Sequence, residues 1–332
     1  MQAQVLTRPG PVGEGPLRMQ ERPVPEPGPE EVLIRVRTCA VCHTDLHVVE
    51  GEIPLPRLPI VPGHQVIGVV ERAAGEGSPR QGERVGVAWL CYACGSCAFC
   101  RSGRENLCEQ ARFTGYHVDG GFAEFVTARR DFVYSVPERF SDIEAAPLLC
   151  AGIIGYRALR LSEAAPGERL ALFGFGASAH LTLQIARHRG CEVFVFSRSE
   201  EHRRLALGLG AAWAGEAAES APVLADRAIL FAPAGRLVPA ALRALRRGGT
   251  LAIAAIHLDQ LPAMDYALLY GERTIRSVTA STRQDGADLL RSAAEAGVRV
   301  ATEVFPLRDA GQALARLKAG RIGGAGVLVV SE

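Results

Sequence analysis

The sequence carries almost no net charge, a single lysine and no long apolar run. Its 332 residues contain 37 Lys and Arg against 36 Asp and Glu, so the formal net charge is +1 at pH 7. That balance argues against binding to nucleic acid or to a membrane surface. Its apolar segments fall well short of the roughly 20 residues that a membrane-spanning helix needs. With no secretory signal pattern at the N-terminus, we expect a globular cytoplasmic protein of roughly two domains.

Arginine supplies nearly all of the positive charge, since Lys318 is the only lysine. A GC-rich genome is the simplest explanation, and composition gives only weak support for a thermophilic source. The sequence also contains 9 cysteines. In the reducing cytosol, such cysteines are expected to be metal ligands before they are disulfides.

Cys42, His64 and Cys150 form the first candidate metal set. Two thiolates and one imidazole are three protein ligands for zinc, and the fourth position stays open for a substrate oxygen. Thr44 and His47 follow the first ligand, and a hydroxyl followed by an imidazole can carry a proton from an alcohol to water. Each ligand alone has a simpler interpretation as a turn histidine or a core thiol. Their joint occurrence, in company with a cofactor motif, favours a catalytic zinc site.

A second candidate set is a compact cysteine loop with C-x2-C-x2-C-x7-C spacing. Four thiolates at this spacing can close a tetrahedron around a structural zinc. An iron–sulfur site is the alternative, but the usual ferredoxin run ends in C-x3-C-P, and this loop does not. Cys91 lies nearby and could be confused with a ligand. The regular spacing favours Cys94, Cys97, Cys100 and Cys108.

The N-terminal part, residues 1–145, has the pattern of an all-β, barrel-like domain. Short β-branched segments at 32–37 and 66–70 are separated by many prolines and glycines. A further turn and strand are expected at 82–87. Short strands with dense turn signals are typical of sandwiches and barrels.

The middle part, residues 146–281, alternates strands with helices. An apolar run at 169–173 leads into a glycine-rich turn, a helix, and a second strand at 192–197. This is the G-x-G-x-x-A dinucleotide motif in its required strand–helix context. The glycines permit the turn and the approach of a pyrophosphate to the helix N-terminus. We expect cofactor contacts from Gly174, Gly176, Ala177, Ser178 and Ala179.

Further strands complete the expected architecture. They are predicted at 226–231, 249–254 and 274–278, which makes five strands with the two above. A sheet of six such strands with intervening helices is typical of a doubly wound parallel fold. Residues 282–332 are too few to fold alone and are expected to return to the first domain. Their predicted elements are a helix at 288–296, a strand at 300–305, a helix at 310–319 and a strand at 327–330.

The end of the second strand bears on the choice of cofactor. An acidic residue there would bind the ribose 2′-hydroxyl of NAD, whereas this sequence has Ser197 and Arg198, with Arg203 and Arg204 following. Arginine at this place can accept a 2′-phosphate, which favours NADP. Alternatively Arg198 stacks on the adenine, and NAD remains usable.

Taken together, these residues resemble the zinc-dependent medium-chain dehydrogenase/reductase family, in its alcohol dehydrogenase branch. The most specific stretches are 42–47, 62–64, 94–108, 115–122 and 147–152. The resemblance covers nearly the whole chain and implies two zinc ions per chain together with NADP or NAD. It also implies a homotetramer, with a dimer as the alternative.

The implied fold is of the α/β class. A GroES-like β-barrel catalytic domain is expected at 1–145, with the structural zinc lobe at 91–108. A Rossmann doubly wound parallel-sheet domain is expected at 146–281. The segment 282–332 would return to complete the catalytic domain.

The resemblance also implies roles for single residues. Thr44 would hydrogen-bond the substrate alcohol, and His47 would pass its proton to solvent. Asp45 would orient the ligating histidine, as carboxylates commonly do around metal-bound imidazoles. His43 would lie against the cofactor pyrophosphate, and Trp89 would form part of the substrate pocket wall.

Four residues depart from the family pattern. Gln65 stands where glutamate is common, which leaves the zinc site one charge more positive. Ile154 replaces a threonine that often contacts the nicotinamide, and Ala325 replaces an arginine that often meets the pyrophosphate. Val49 stands where ethanol-preferring relatives carry a bulky aromatic residue, so the pocket is expected to be wider.

The leading functional hypothesis is a zinc-dependent alcohol dehydrogenase or aldehyde reductase for small to medium primary alcohols. A second hypothesis is an NADPH-dependent reductase for cinnamyl-type or furanic aldehydes, favoured by Val49 and Arg198. A third is a non-catalytic dinucleotide-sensing protein, favoured only by the departures at 65, 154 and 325. A zinc module for nucleic acid is disfavoured by the near-neutral charge.

Overall fold

The computed structural model describes residues 1–73, 77, 79–255 and 258–331. Its strands are β1 Gln2–Leu6, β2 Leu17–Glu21, β3 Glu31–Val41, β4 Gln65–Ala73, β5 Arg84–Val87, β6 Leu90–Tyr92, β7 Arg112–Phe113, β8 Phe125–Arg129, β9 Val133–Ser135, β10 Arg169–Phe173, β11 Glu192–Phe196, β12 Trp213–Gly215, β13 Ala225–Leu230, β14 Leu245–Ile253, β15 Thr274–Ser277, β16 Thr302–Pro306 and β17 Ala325–Val329. Its α-helices are α1 His43–Glu50, α2 Ala98–Arg101, α3 Asp142–Ala145, α4 Ala151–Ser162, α5 Ala177–His188, α6 Glu200–Gly208, α7 Val238–Arg243, α8 Arg283–Glu295 and α9 Ala310–Lys318. Among the described helices, none is both long and apolar enough to cross a membrane.

The chain forms two compact units. The first contains Met1–Cys150, Ala280–Ala294 and Arg299–Glu332, and the second contains Ala151–Thr279 and Glu295–Val298. The sequence-based boundaries were 145 and 281. Because the first unit extends to Cys150, all three residues of the first metal set lie within it.

A mixed sheet forms the frame of the first unit. Its strand order is β16-β17-β3-β4-β5-β9, and β8 also pairs with β3. On β3, Ile34 and Val36 are fully buried, whereas Arg35 and Arg37 are exposed. This alternation is typical of a strand with one face in a core. The pairing of β17 with β3 is antiparallel, so C-terminal residues complete the sheet of the first unit.

A six-stranded parallel sheet forms the second unit, in the order β12-β11-β10-β13-β14-β15. The order reverses beside the central strand β10, where doubly wound sheets bind their ligands at the carboxyl ends of the strands. Leu170 and Leu172 on β10 are fully buried, as expected for a strand covered on both faces. The sequence pattern did not locate β12, because a three-residue edge strand carries almost no periodicity.

An ion pair joins the cysteine loop to the C-terminal part of the first unit. The guanidinium of Arg283, at the start of α8, donates to both carboxylate oxygens of Glu105 at 2.7 to 3.1 Å. It also lies 4.5 Å from the ring centre of Phe132. A bidentate pair stacked on an aromatic ring is more directional than a single surface ion pair. It therefore fixes the loop that contains Glu105 against α8.

Candidate active site

Strand register brings the first two candidate ligands together. Antiparallel pairing of β3 with β4 sets Ala40 opposite Gln65. Cys42 follows the end of β3 and His64 precedes the start of β4, so both residues emerge at the same edge of the sheet. A separation of 22 residues in the chain thereby becomes a distance of 3.4 Å between Cys42 Sγ and His64 Nε2.

Cys150 supplies the third ligand atom from the end of the 3₁₀ turn Ala146–Leu149. Its Sγ lies 3.9 Å from Cys42 Sγ, and the three ligand atoms all lie within 4.8 Å of one another. Zinc bond lengths in a tetrahedron place two sulfurs about 3.8 Å apart, and a sulfur and a nitrogen about 3.6 Å apart. The donor set therefore has the spacing of a zinc site with one position left open.

Asp45 connects two of these ligands through one buried carboxylate. The backbone N–H of Cys42 donates to Asp45 at 2.9 Å, which closes a capping box at the start of α1. The other carboxylate oxygen lies 2.9 Å from His64 Nδ1. A carboxylate there accepts the Nδ1 proton and leaves Nε2 as the metal ligand. The helix N-terminus also stabilises negative charge on the Cys42 sulfur, which accepts from Thr44 N–H at 3.3 Å.

Glycines allow the loops to pack around His64. Gly63 has φ +96°, and a Cβ there would lie 2.4 Å from the ring of Phe122. A Cβ on Gly120 would lie 2.0 Å from the carbonyl oxygen of Gly63. The N–H of Gly121 then donates to that same oxygen at 2.9 Å. The glycine-rich motif at 115–122 therefore holds the histidine loop by close backbone packing.

The ligand atoms of this set bind protons as well as metal cations. A hydrogen bond with Cys150 and burial raise the pKa of Cys42 well above its usual value. Burial lowers the pKa of His64, but the charges of Asp45 and Cys42 outweigh it and raise that pKa to about 10. These protons occupy the ligand atoms that a dication would take. Zinc would displace them and balance the thiolate charge, so the residues fit the ion.

The residues expected to move a proton lie on the same helix. Thr44 is buried, and His47 follows three residues later on the same face of α1. His47 Nδ1 is hydrogen-bonded to the carboxylate of Glu52. The His43 ring, which is exposed, is centred 6.5 Å from the His47 ring. Glu52 was not among the residues predicted from the sequence, although Gly51 before it is a recognisable helix-stop signal.

Aromatic rings adjoin the ligating histidine. The Trp89 ring meets the His64 ring edge-on at 4.9 Å and stacks on Phe113 at 5.0 Å. Tyr116 lies 5.8 Å from Trp89. Val49, in contrast, is fully buried in the core of the first unit. The Trp89 ring therefore adjoins the ligating histidine, whereas Val49 has an evident packing role.

The four-cysteine loop also gathers its sulfurs. Its four ligand atoms lie within 4.8 Å of one another, with Cys94 Sγ 3.9 Å from Cys100 Sγ. Hydrogen bonds from Ser96 and from the Cys97 N–H lower the pKa of Cys94 to about 6. Cys91 lies outside the set, and burial raises its pKa to about 11. The geometry therefore selects the residues that the spacing favoured for a structural zinc.

The fingerprint turn of the second unit has the shape that a dinucleotide needs. Gly174 has φ +89°, and a Cβ there would lie 2.8 Å from the backbone of Ala232. At Gly176, which precedes α5, a Cβ would meet nothing within 4 Å. Within the described residues, no side chain caps the N-terminus of α5, so its N–H groups remain for an anion. Ala179 is fully buried. The turn therefore fits a pyrophosphate.

Two arginines near the end of β11 differ in their surroundings. Arg203 donates to the carbonyl of Ser197 at 2.7 Å and to Glu216 at 3.3 Å. Arg198 is exposed at the surface beside Ser197. Ser197 itself is buried and accepts from the N–H of Ser199 at 3.3 Å. Arg198 is therefore the better placed of the two to meet a cofactor phosphate.

Comparisons with known proteins identify the family. Residues 28–138 match the alcohol dehydrogenase GroES-like domain, and residues 179–295 match the zinc-binding dehydrogenase domain. The chain is 50% identical to the probable alcohol dehydrogenase AdhA of Mycobacterium tuberculosis, with 99% of this chain and 97% of that one covered. The chain belongs to the zinc-binding medium-chain alcohol dehydrogenase family.

Other similarities extend over the same length. This dehydrogenase is 38% identical to an alcohol dehydrogenase of Geobacillus stearothermophilus, with 94% of each chain covered. Its fold matches a cinnamyl alcohol dehydrogenase of Sorghum bicolor with a TM-score of 0.89 and 28% identity, over 99% of this chain and 97% of that chain. The protein is thus an NAD(P)-dependent zinc alcohol dehydrogenase, with a catalytic site of two cysteines and one histidine and a structural site of four cysteines. The hypothesis of a non-catalytic sensor was wrong.

Three residues that differ from the family pattern lie in different environments. Gln65 is buried, and its Nε2 has no hydrogen-bond partner within the described residues. Ile154 is half-buried on α4, and Ala325 is buried at the start of β17. An unpaired buried amide is costly, so Gln65 is the departure with the clearest physical consequence.

Substitution of Cys100 tests the ligand set of the structural site. Cys100→Ser should lower tightly bound zinc from about two to about one per chain, because serine is a poor replacement for a thiolate ligand. Elemental analysis after exhaustive dialysis measures this. Cys91→Ser is the matched control and should keep both ions. Loss of an ion from the control, with both retained in Cys100→Ser, would contradict the assignment.

Proposed function

We propose that this dehydrogenase exchanges hydride between small to medium primary alcohols and NADP, and that a proton relay on α1 carries the proton of the alcohol hydroxyl to solvent. The observation that supports a catalytic role is the three-ligand set Cys42, His64 and Cys150, which leaves one zinc position for substrate. When bound, zinc would supply a Lewis acid and the nicotinamide cofactor would accept or donate the hydride. The chain itself must hold the substrate hydroxyl, move its proton and orient the ligating histidine. Thr44, His47 and Asp45 are proposed for these three roles.

The relay begins at Thr44. Its hydroxyl is positioned by the first turn of α1, directly after the ligand Cys42, where it can hold the substrate hydroxyl. His47 receives the proton one turn later and lies nearer to solvent. Asp45 keeps His64 in one orientation and so keeps the ligand geometry fixed. Proton transfer by positioned groups of this kind contributes about 10² to 10⁴ in rate.

The fingerprint residues would bind the cofactor, with Gly176, Ala177 and Ser178 at the pyrophosphate. His43 is proposed to contact the same pyrophosphate, and its exposure is compatible with that role. Gln65 makes the zinc site one charge more positive than a glutamate would. That difference favours a deprotonated substrate at the site.

NADP is the proposed cofactor. Ser197, which follows β11, stands where an acidic residue would repel the 2′-phosphate. Arg198 beside it is exposed. A charge-assisted hydrogen bond is worth about 1.5 to 3 kcal/mol. That energy is enough to decide between the two cofactors.

Arg198→Ala tests the cofactor choice. It should raise KM for NADPH about 10-fold or more and change KM for NADH little, because only NADPH carries the 2′-phosphate. Initial rates with both cofactors measure this. Arg243→Ala, which removes an exposed arginine from another helix of the same unit, should leave both values unchanged. Equal changes for NADH and NADPH in Arg198→Ala would reject a phosphate contact.

Bulkier aldehydes of the cinnamyl or furanic type are the second candidate substrates. The observation that favours them is the group of rings around Trp89, since flat aromatic faces gain from stacking on a flat substrate. A ladder of aliphatic and aromatic aldehydes separates the two candidates. Higher kcat/KM for the aromatic series would support the bulky-substrate hypothesis.

We also propose a homotetramer in the cytoplasm, with a dimer as the alternative. Strand β15 is an edge of the parallel sheet, and Tyr266 and Tyr270 just before it are largely exposed. Open edges and exposed rings are commonly covered in oligomers. Light scattering should give about four chain masses of 35.4 kDa. A mass of one chain would rule out both assemblies. In support of a reducing compartment, six of the nine cysteines belong to metal sets.

Cys42→Ala tests the catalytic site. It should lower kcat/KM about 10³-fold or more, because the Lewis acid would lose a ligand, while cofactor affinity measured by calorimetry stays close to the original. Cys39→Ala removes a buried neighbouring thiol that is not a ligand and should retain turnover. Full activity in Cys42→Ala would refute the proposed site.

A further inference from the structure

The C-terminal end of α1 folds back on the helix. Gly51 has φ +75°, its N–H donates to the carbonyl of Val48 at 3.3 Å, and the N–H of Glu52 donates to the carbonyl of His47 at 3.0 Å. This is the hydrogen-bond pattern of a Schellman cap, which requires a left-handed residue at its centre. A Cβ on Gly51 would also lie 2.8 Å from Pro9. The cap therefore returns Glu52 to the helical turn that carries His47.

The side chain of Glu52 uses this position to bind the His47 ring. One carboxylate oxygen is hydrogen-bonded to Nδ1, with the His47 side chain 15% exposed and that of Glu52 50% exposed. An ionised carboxylate only accepts, so the proton of this bond belongs to Nδ1. The lone pair of neutral His47 is then on Nε2. The contact thus selects one of the two imidazole tautomers.

Each acidic side chain on α1 and its cap has its own partner. Asp45 binds His64, and Glu50 binds both Lys318, at 2.6 Å, and the N–H of Val12. Glu52 is the one in contact with His47. The three carboxylates therefore serve different groups, although they lie within eight residues of one another.

The other charged groups around His47 lie on α1, on α9 and on a neighbouring 3₁₀ turn. His43 lies on the same helix with its ring centre 6.5 Å away. Of the elements packed against α1, α9 presents Lys318, bound by Glu50, and Arg316, paired with Glu303 at 2.7 Å. The 3₁₀ turn Val12–Glu14 carries Glu14, which is exposed. Glu50 acts on His47 through its charge, whereas Glu52 is hydrogen-bonded to the His47 ring.

We propose that Glu52 is a positioning residue for the alcohol dehydrogenase reaction, which holds His47 ready to take the substrate proton and then helps to release it. The proposal rests on the relay roles assigned to Thr44 and His47. The proton lost by the substrate hydroxyl passes through Thr44 to His47 Nε2. The Nδ1 proton then leaves to water beside the half-exposed carboxylate, and the neutral ring is restored. No oxidant or reductant is needed for this step.

Glu52→Gln tests the proposal through the pH dependence of alcohol oxidation by the zinc-loaded enzyme. Loss of the negative charge removes a group that stabilises the protonated ring, so the acid limb of kcat should move to lower pH. The weaker base should also lower the plateau of kcat about 10-fold, with KM for the alcohol little changed. Glu52→Asp keeps the charge and should restore the pH profile at least in part.

Glu50→Gln is the matched control. It removes the same charge two residues away, from a carboxylate bound to Lys318 instead of the His47 ring. It should move the acid limb less than Glu52→Gln does, because Glu50 acts on His47 through its charge alone. An acid limb that moves equally in Glu50→Gln and Glu52→Gln would overturn the proposal, because a general loss of negative charge would then explain both shifts.

A spectroscopic readout is independent of turnover. Nitrogen chemical shifts of ¹⁵N-labelled histidine should show His47 as the Nδ1–H tautomer, assigned through a His47→Gln variant. Glu52→Gln should change those shifts, whereas Glu50→Gln should leave the His47 tautomer unchanged. An Nε2–H tautomer in the unmodified enzyme would overturn the proposal.

The relay and the role of Glu52 can fail separately. If His47→Gln retains full alcohol oxidation across the pH range, the relay itself is refuted. If His47→Gln loses activity but Glu52→Gln keeps the original pH profile and tautomer, only the role of Glu52 is refuted.

Discussion

The first unit depends on one buried carboxylate. Asp45 accepts the backbone N–H of Cys42 and binds His64 Nδ1, each at 2.9 Å. It therefore ends a strand, starts a helix and orients a metal ligand at once. A buried charge is tolerated because both of its oxygens have a hydrogen-bond donor. Without this link, the ligand nitrogen would have no fixed direction toward the two sulfurs.

Sheet register and close loop packing make that link possible. The pairing of β3 with β4 places the residues after Val41 and before Gln65 side by side. Gly63 and Gly120 then let the loops approach to distances that no Cβ would allow. Cys150 lies at the end of a short 3₁₀ turn and completes the set of three metal ligands. The catalytic ligands are thus assembled by backbone geometry, and the metal would stabilise an arrangement that the fold already favours.

Local sequence signals predicted some parts of this structure better than others. The spacing of Cys94 to Cys108 and the Gly174–Ala179 turn carry their geometry in a few consecutive residues, and the structure has both. The strand Trp213–Gly215 was missed because its pairing partner, rather than its own pattern, makes it a strand. Convergence of Cys42, His64 and Cys150 has no spacing signal, since it depends on long-range pairing, and the sequence favoured it only through the residue types and the accompanying cofactor motif.

Other features of the site were found from the three-dimensional structure and not from the sequence. The burial of Val49, the ring stack around Trp89 and the contact of Glu52 with His47 all depend on the path of loops. Of these, only the last had a usable sequence signal. Gly51 marks the end of a helix, and a residue after such a glycine commonly returns to the preceding turn. A carboxylate at that place could have been considered as a partner for His47.

Cys42, His64 and Cys150 are expected to hold one zinc ion with a position left for substrate, while the cysteine loop holds another. X-ray absorption at the zinc edge of the fully loaded enzyme tests this most directly. Averaged over the two sites, each zinc should have about three sulfur neighbours near 2.3 Å and about one nitrogen or oxygen near 2.0 to 2.1 Å. An average of four sulfurs per zinc would contradict the account, because every ion would then lie in a thiolate site without histidine or an open position.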